Sequence, residues 1–547
     1  MVKRAVGALS VPPDHVAKWV ISSANKSVPT SVSTLAPILV WLRNDLRLDD
    51  HEPLHRAVTT GVSVVPVFCV DPRQFGALPH GAPKTGAFRA QFLIESLSAM
   101  RDACRSCGGE LVIRVGTPEA VLPELARALG ATRVLHHEEV ASEETTVEAD
   151  VTAALAEVDA TLEGFWGHTL YHPDDLPFAL DALPPLFTRF RNLVERDTKI
   201  RQPLPAVTRF TTPSIDSGAL PTLRSLGLTD PPLDERALFR PRGGEREAAA
   251  RLASFLWEHD RLRTYKDTRN GMLNVDDSSK LSPWLAMGCL SPRRVWTEVQ
   301  RYERERVRND STYWLVFELL WRDYFRFIAA KEGDAIFSVD GLQRLALPWR
   351  SLDDRWARED FERWTSGNTG FPLVDASMRE LTLSGFTINR ARQNVASFLT
   401  KNLRIDWRAG AEWFESLLVD YDVASNWGNW TYAAGVGNDA RGFRFFNLHK
   451  QALDYDPTGA FVRHWIPELR SIPNGAIHRP DKLTPAEQNR YDFAVGRDYP
   501  LPMVDLYESA NSNEILYRRA TDSQPPSPRA RSADNSRSRD SARNVRR

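Results

Sequence analysis

Between Trp407 and Trp430 the chain sets four tryptophans among Asp420, Asp422, Asn426 and Asn429. A buried indole N–H needs a hydrogen-bond partner, so tryptophans crowded beside carboxylates and amides suit a planar, redox-active aromatic ligand better than packing alone. Thirteen of the sixteen tryptophans fall between Trp257 and Trp465, which concentrates this chemistry in one part of the chain. An aromatic-rich helical core is the plain alternative.

Three further segments carry residues that could act together. Over Thr312–Ile328 an almost wholly apolar helix places Glu318, Trp321 and Arg322 at i, i+3 and i+4, on one face. A carboxylate, a stacking surface and a cation there suit a planar, hydrogen-bonding ligand attached to a phosphate. From Ile388 a second helix presents Asn389 with Arg392 and Gln393 at the same spacings, while Arg390 projects elsewhere. The apolar run that follows predicts that Asn389 and Arg392 point inward; an inward arginine needs a carboxylate, and Asp420 and Asp422 are the two on offer. In the third segment, Thr264–Leu285, the hydroxyls of Ser278, Ser279 and Ser282 with backbone N–H groups at a helix start could cradle a pyrophosphate. Hydroxyl-rich turns also serve simply as helix caps.

The elements that must hold these residues follow from periodicity. A chain of 547 residues is too long for one core, so two large domains are expected. Residues 36–166 alternate apolar β-rich runs at 38–42, 62–70, 110–115 and 133–137 with amphipathic helices near 85–105 and 118–129. This predicts a doubly wound parallel α/β domain. No Gly-x-Gly-x-x-Gly follows the first strand, so the usual dinucleotide site is not indicated there. Residues 167–245, rich in proline, read as a connector wrapped over the surface. From 246 to 505 nearly every segment has helical period, including 245–259, 292–305, 312–330, 375–384, 389–402 and 409–418, which predicts an all-helical second domain. Residues 1–35 read as a disordered or targeting extension, and 506–547 as a disordered basic tail.

Net charge is −1, but residues 518–547 hold nine Arg against three Asp. The rest is therefore acidic by about seven charges, and affinity for a polyanion must come from a local basic face. Four cysteines make no secreted disulfide framework, and Cys104–Cys107 lacks the partners of a zinc site, so no metal is expected and the thiols read as reduced and intracellular. No apolar run reaches the roughly 20 residues of a membrane span. The basic, Ser/Thr-containing N-terminus is compatible with a plastid or mitochondrial transit peptide; otherwise the nucleus or cytoplasm is expected.

Taken together, these motifs resemble the photolyase/cryptochrome family, and within it the cryptochrome DASH branch. The resemblance runs from Trp41-Leu-Arg-Asn-Asp-Leu-Arg to Trp465-Ile-Pro-Glu-Leu and includes Asn309–Trp314, Glu318–Phe325, Thr369–Ala376, Asn389–Leu399 and Asp420–Trp430. It implies an α/β antenna domain, a linker and a helical domain around FAD. Tyr265, Ser278, Ser279, Leu281 and Ser282 would line the phosphates and ribityl chain. Asn389 and Arg392 would face the flavin, Arg392 paired with Asp420. Asp422 would hydrogen-bond the ring edge, and Asn426 would face flavin N5, where a neutral amide supports the fully reduced anionic flavin. Trp430, Trp407 and a third tryptophan, Trp356 or else Trp349, would relay electrons from the surface. Glu318 and Trp321 would contact a flipped-out pyrimidine dimer, and Arg322 and Arg390 would contact phosphates. In the antenna domain 5,10-methenyltetrahydrofolate is implied, with Glu143 or alternatively Glu144 as its ring-contacting acid.

Tyr432 and Gln393 stand where many duplex-acting photolyases have a tryptophan and an apolar residue. Extruding a dimer from a duplex costs a few kcal/mol that pocket contacts must offset, so a weaker-stacking pocket favours single-stranded DNA. The leading expectation is light-driven splitting of cyclobutane pyrimidine dimers by a monomer. The rivals are a blue-light photoreceptor with little repair activity and a light-independent DNA- or RNA-binding protein that uses the basic tail.

Overall fold

In the computed structural model, residues 36–79, 81–439 and 442–523 are described; the N-terminal extension and most of the basic tail lie outside them. The first layer is a five-stranded parallel sheet of β1 (Ile38–Leu42), β2 (Val64–Val70), β3 (Val112–Val115), β4 (Arg133–His137) and β5 (Thr161–Phe165), in the order β3-β2-β1-β4-β5. Every residue of β1 and β2 is buried, as a sheet covered on both faces requires. β5, Thr-Leu-Glu-Gly-Phe, is an edge strand with no apolar run to betray it.

In a doubly wound sheet a ligand crevice opens beyond the carboxyl ends of the strands where the winding reverses, here between β1 and β4. This chain fills that crevice itself. Arg43, just past β1, reaches Glu148 at 2.5 Å and His136 of β4 at 3.0 Å.

The connector is not structureless. A helix at Phe187–Asp197 buries Phe187, Phe190 and Val194. Beyond it, main-chain bonds from Val64 to Thr211 and from Ile113 to Ser217 stitch the connector to the α/β layer. Those bonds satisfy backbone groups that a long loop would otherwise leave exposed.

The helical domain is organised by the Asp310–Glu332 helix, started by an Asn309/Thr312 capping box. Two helices expected to run to 259 and 402 instead end in π turns, Ser254–Glu258 and Phe398–Asn402. Such turns recur at functional sites.

The structure corrects the expected tail. Leu506–Asp522 is a helix, so the ordered domain continues past 505. Its sequence looks polar because only Leu506, Ala510 and Tyr517 are buried. Polar bonds do the docking. Asn402 Nδ2 donates to Leu506 O and Ser509 Oγ, each at 2.9 Å, and Asn513 Nδ2 donates to Lys401 O at 2.9 Å.

Lys401 is buried beneath this helix, donating to Ala434 O and lying over the rings of Phe443 and Tyr517. Burial pulls its ammonium down to about 7, with only Asp439 opposing. Between pH 7 and the ordinary lysine range the unfolded chain therefore holds a proton that the folded chain lacks. Stability from this group rises with pH across that window, by about 1.4 kcal/mol per unit. Relative to Lys401→Met, the wild type is expected to gain melting temperature from pH 7 to 9; parallel curves would remove the burial penalty.

Candidate functional site

Asp420 anchors the site. Its carboxylate accepts from Arg392 Nη2 at 2.8 and 3.0 Å and from Ser282 Oγ at 2.6 Å. Arg392 Nε is fixed in turn by Thr387 O at 2.8 Å. One carboxylate thus joins the helix that starts at Asn389 to the serine-rich segment, as the sequence pairing of Arg392 with Asp420 anticipated.

In the serine-rich segment, Leu281, Ser279 and Tyr265 are buried. Arg251 Nε donates to Ser279 O at 2.9 Å and its Nη2 to Ser278 O at 3.0 Å, so a cation holds this turn from behind.

Asn426, on the Val423–Ala434 helix, is buried and donates its amide to Ala411 O at 3.1 Å. Among the described residues no donor reaches its side-chain oxygen. Asp422 caps the same helix through Ser425 N at 2.7 Å. Burial pushes the Asp422 carboxyl up, but Arg322 and Arg326 outweigh that and hold it below the ordinary range.

Two expected positions lie elsewhere. Asn389, expected inward, is solvent-exposed in the first turn of its helix. The buried amide is Asn394, five residues and nearly half a turn round, with both polar side-chain atoms unpartnered among the described residues. Arg322, expected on a phosphate, instead donates to the main-chain oxygens of His168 and Leu285 and so ties the connector to the helical domain.

Around Glu318 the remaining residues form a second set of contacts. Glu318 accepts from Arg269 Nη1 at 2.7 Å and from Trp314 Nε1 at 3.1 Å. Burial raises its carboxyl above the ordinary range, opposed by Arg269. Trp321 meets Tyr432 edge to face at 6.0 Å, while its own face is stacked on Phe187 at 3.7 Å. Arg390 is partly buried, bonded to Gln393 Oε1 at 2.9 Å and Asn270 Oδ1 at 3.3 Å, and lies over Tyr455. Arg269, Trp314 and Phe187 were not singled out from the sequence. Arg269 sits 49 residues from Glu318, and no local spacing signals such a pair.

The tryptophans are arranged unequally. Trp430 is buried against Phe414 at 5.1 Å and Trp364 at 6.3 Å. Gly410 permits this approach, since a Cβ there would lie 2.3 Å from the Trp430 ring. Trp407 is fully buried, bonded to Val339 O at 3.1 Å, and meets Trp427 at 5.6 Å. Trp356 is 66% exposed. Trp349 is half-buried, and the next residue, Arg350, pairs through its backbone with Arg404 at 2.8 Å and Asp406 at 3.0 Å, just before Trp407.

In the α/β domain Glu143 is exposed and paired with Lys84, whereas Glu144 keeps one buried, unpartnered oxygen. Burial, with Glu139 and Glu143 adding to it, raises the Glu144 carboxyl to about 7. Asp45, His51 and His137 form a buried cluster with the spacing of metal ligands. His51 Nδ1, however, accepts from Leu54 N at 3.2 Å, so its proton sits on Nε2, the atom that faces Asp45.

A parallel α/β layer, a wrapped connector and a helical domain thus meet around this Arg–Asp–Ser core. Residues 38–209 match the DNA photolyase family model and residues 314–519 match the FAD binding domain of DNA photolyase. The chain is 57% identical over 484 residues to a protein named cryptochrome DASH from Gloeobacter violaceus, covering 88% of this chain and 96% of that one. The crystal structure of a Synechocystis cryptochrome superimposes with a TM-score of 0.85 at 48% identity, over 90% of this chain and 100% of the other. A class III photolyase from Agrobacterium tumefaciens gives 0.77 at 29% identity, over 92% and 100%. The chain belongs to the photolyase/cryptochrome family. Within it the chain falls in the cryptochrome DASH branch.

Proposed function

We propose that this protein is a light-driven lyase that splits cyclobutane pyrimidine dimers, chiefly in single-stranded DNA, with FAD as the electron donor. The observation that carries the reading is the cluster in which Glu318, backed by Arg269 and Trp314, stands three residues from Trp321, itself set edge to face against Tyr432. A carboxyl raised by burial can hydrogen-bond pyrimidine ring edges, and the aromatic wall gives a base a surface to lie against. Tyr432 and Gln393 make that wall more polar than two apolar residues would, which supports a preference for substrates that need no extrusion from a duplex.

The residues present fit the cofactor. Unpartnered buried amide atoms of Asn394, the free oxygen of Asn426 and the Ser282–Asp420–Arg392 network offer the polar contacts that an isoalloxazine and its phosphate chain would use. FAD supplies the light absorption and the transferable electron. Arg392 and Asp420 hold the helix geometry, the 278–282 turn takes the phosphates, and Asn426 sets the polarity beside the ring. The test is a repair assay on a single-stranded oligonucleotide carrying one dimer, alongside the same dimer in a duplex.

For the electron path the geometry favours Trp349 over the largely exposed Trp356, because the residue that follows Trp349, Arg350, pairs through its backbone with Arg404 and Asp406, next to Trp407 in the chain. Trp349→Phe is expected to abolish sustained photoreduction under a chemical reductant, and Trp356→Phe to leave it unchanged. The opposite pattern would return the role to Trp356.

In the antenna domain Glu144 fits the folate-contacting role better than Glu143. Its raised carboxyl, with one buried oxygen unpartnered among the described residues, can pair with a pterin edge, whereas Glu143 is engaged with Lys84. Glu144→Ala is expected to weaken methenyltetrahydrofolate binding by about tenfold or more, the worth of one charge-assisted bond. Titration of the near-ultraviolet band checks this, and loss on Glu143→Ala instead would reverse the assignment.

A further inference from the structure

A branch leaves the tryptophan series at Trp407. Trp427 is buried and meets the Trp407 ring edge to face at 5.6 Å. Its Nε1 donates to the Tyr421 hydroxyl at 3.3 Å. Trp407, Trp427 and Tyr421 are thus three oxidisable rings in successive contact. Tyr421 stands in the chain between Asp420, which holds Arg392, and Asp422, which caps the next helix, so the segment that carries this phenol is fixed on both sides.

The surroundings of Tyr421 decide how it can give up an electron. The Arg89 guanidinium lies over its ring at 4.7 Å, held there by bonds to Glu415 O and Leu418 O. A cation on the ring face makes a second positive charge in that ring costly. Tyr421 can therefore lose an electron only as it loses its proton, which leaves a neutral radical. A base stands close by. Burial pushes the Tyr421 hydroxyl up, and among the neighbouring charges the buried Glu415 adds most to this. Burial also raises the Glu415 carboxyl, against Lys84 and Arg89, so Glu415 takes a proton more readily than a surface glutamate does.

We propose that Tyr421, reached through Trp427, is a sink for the oxidising equivalent that light leaves on the tryptophans. The inference rests on the reading of Trp407 as a relay residue. Once Trp407 has given an electron to Trp430, its indole is a radical cation. One electron then passes from Tyr421 through Trp427 to Trp407 and restores the indole. The phenol proton passes to the Glu415 carboxylate, so a neutral tyrosyl radical and a neutral carboxylic acid remain. Refilling the tyrosyl radical requires the proton to return with the electron, which prolongs the separated charges.

The test uses the full-length, flavin-loaded protein, illuminated without added reductant and followed by electron paramagnetic resonance and transient absorption. The wild type is expected to give a tyrosyl radical, recognised by the narrowing of its spectrum when ring-deuterated tyrosine is supplied. Tyr421→Phe and Trp427→Phe should lose that radical while the tryptophan radical still forms. Their oxidised state should decay about tenfold faster, equivalent to about 1.4 kcal/mol of lost stabilisation. Glu415→Gln, which keeps the shape and removes the base, should lose the tyrosyl radical as well. A tryptophan radical with no tyrosyl radical in the wild type, or a tyrosyl radical that persists in Tyr421→Phe, overturns the proposal. A ruthenium photosensitiser with a sacrificial acceptor oxidises tryptophan without using the flavin. There too the tyrosyl yield should fall in Tyr421→Phe, and equal yields in the two proteins overturn the proposal. Absence of any tryptophan radical in the illuminated wild type would instead refute the relay reading, a result on which the photosensitiser experiment does not depend.

Discussion

Asp420→Ala is expected to purify without FAD and to unfold at markedly lower denaturant than the wild type. The carboxylate is buried, with 2% of its side chain exposed, and it satisfies both Arg392 and the Ser282 hydroxyl. Removing one member of such a pair leaves the other charge stranded, at about 3–5 kcal/mol when both are fully buried. Arg392 retains 23% side-chain exposure, so the lower end, about 3 kcal/mol, applies. Asp420→Asn should fall between the two, keeping an acceptor for Ser282 while losing the charge. Flavin content by absorbance and the urea midpoint check the series. A fully flavinated Asp420→Ala protein with an unchanged midpoint would show that the pair neither holds the site nor the fold.

The second large effect concerns Trp430. Its ring is buried between Phe414 and Trp364, one helical turn from Asn426 on the same helix, so it is the readily oxidised group tied most directly in sequence to the proposed flavin contact. Trp430→Phe should bind FAD with normal stoichiometry but lose photoreduction to background, since a benzyl ring fills much of the space and cannot be oxidised at comparable potential. Normal kinetics in the mutant would move the path elsewhere, with Trp364 the next residue to replace. Loss of FAD would make Trp430 a packing residue.

Much of this site is legible in the sequence, for reasons specific to each residue. Arg392 could be assigned a carboxylate because an apolar run follows it, and a buried guanidinium without one is too costly. The strands β1 to β4 announce themselves as continuous apolar runs, while β5, at the edge, has none. Helical spacing alone misleads where a long side chain can swing. Arg322 shares a helix face with Glu318 and Trp321, yet its guanidinium reaches back to His168 and Leu285. The helix start at Asn389 was legible, but not that its first turn is exposed and that the buried amide of this helix is Asn394. The Leu506–Asp522 helix escaped notice because hydrogen bonds from Asn402 and Asn513, rather than an apolar stripe, hold it down. Trp349 and Trp356 are separated only by a backbone bridge 55 residues away in sequence, from Arg350 to Ile405, which no spacing rule encodes.

The central claim is best tested by chromatographic counting of dimers in a single-stranded oligonucleotide after blue illumination of the protein with its FAD fully reduced. Restored thymines in the light and none in the dark, with slower repair of the same dimer in a duplex, is the predicted result. Intact dimers after illumination, with the flavin still bound and reduced, would contradict the account and leave photoreception as the activity of this site.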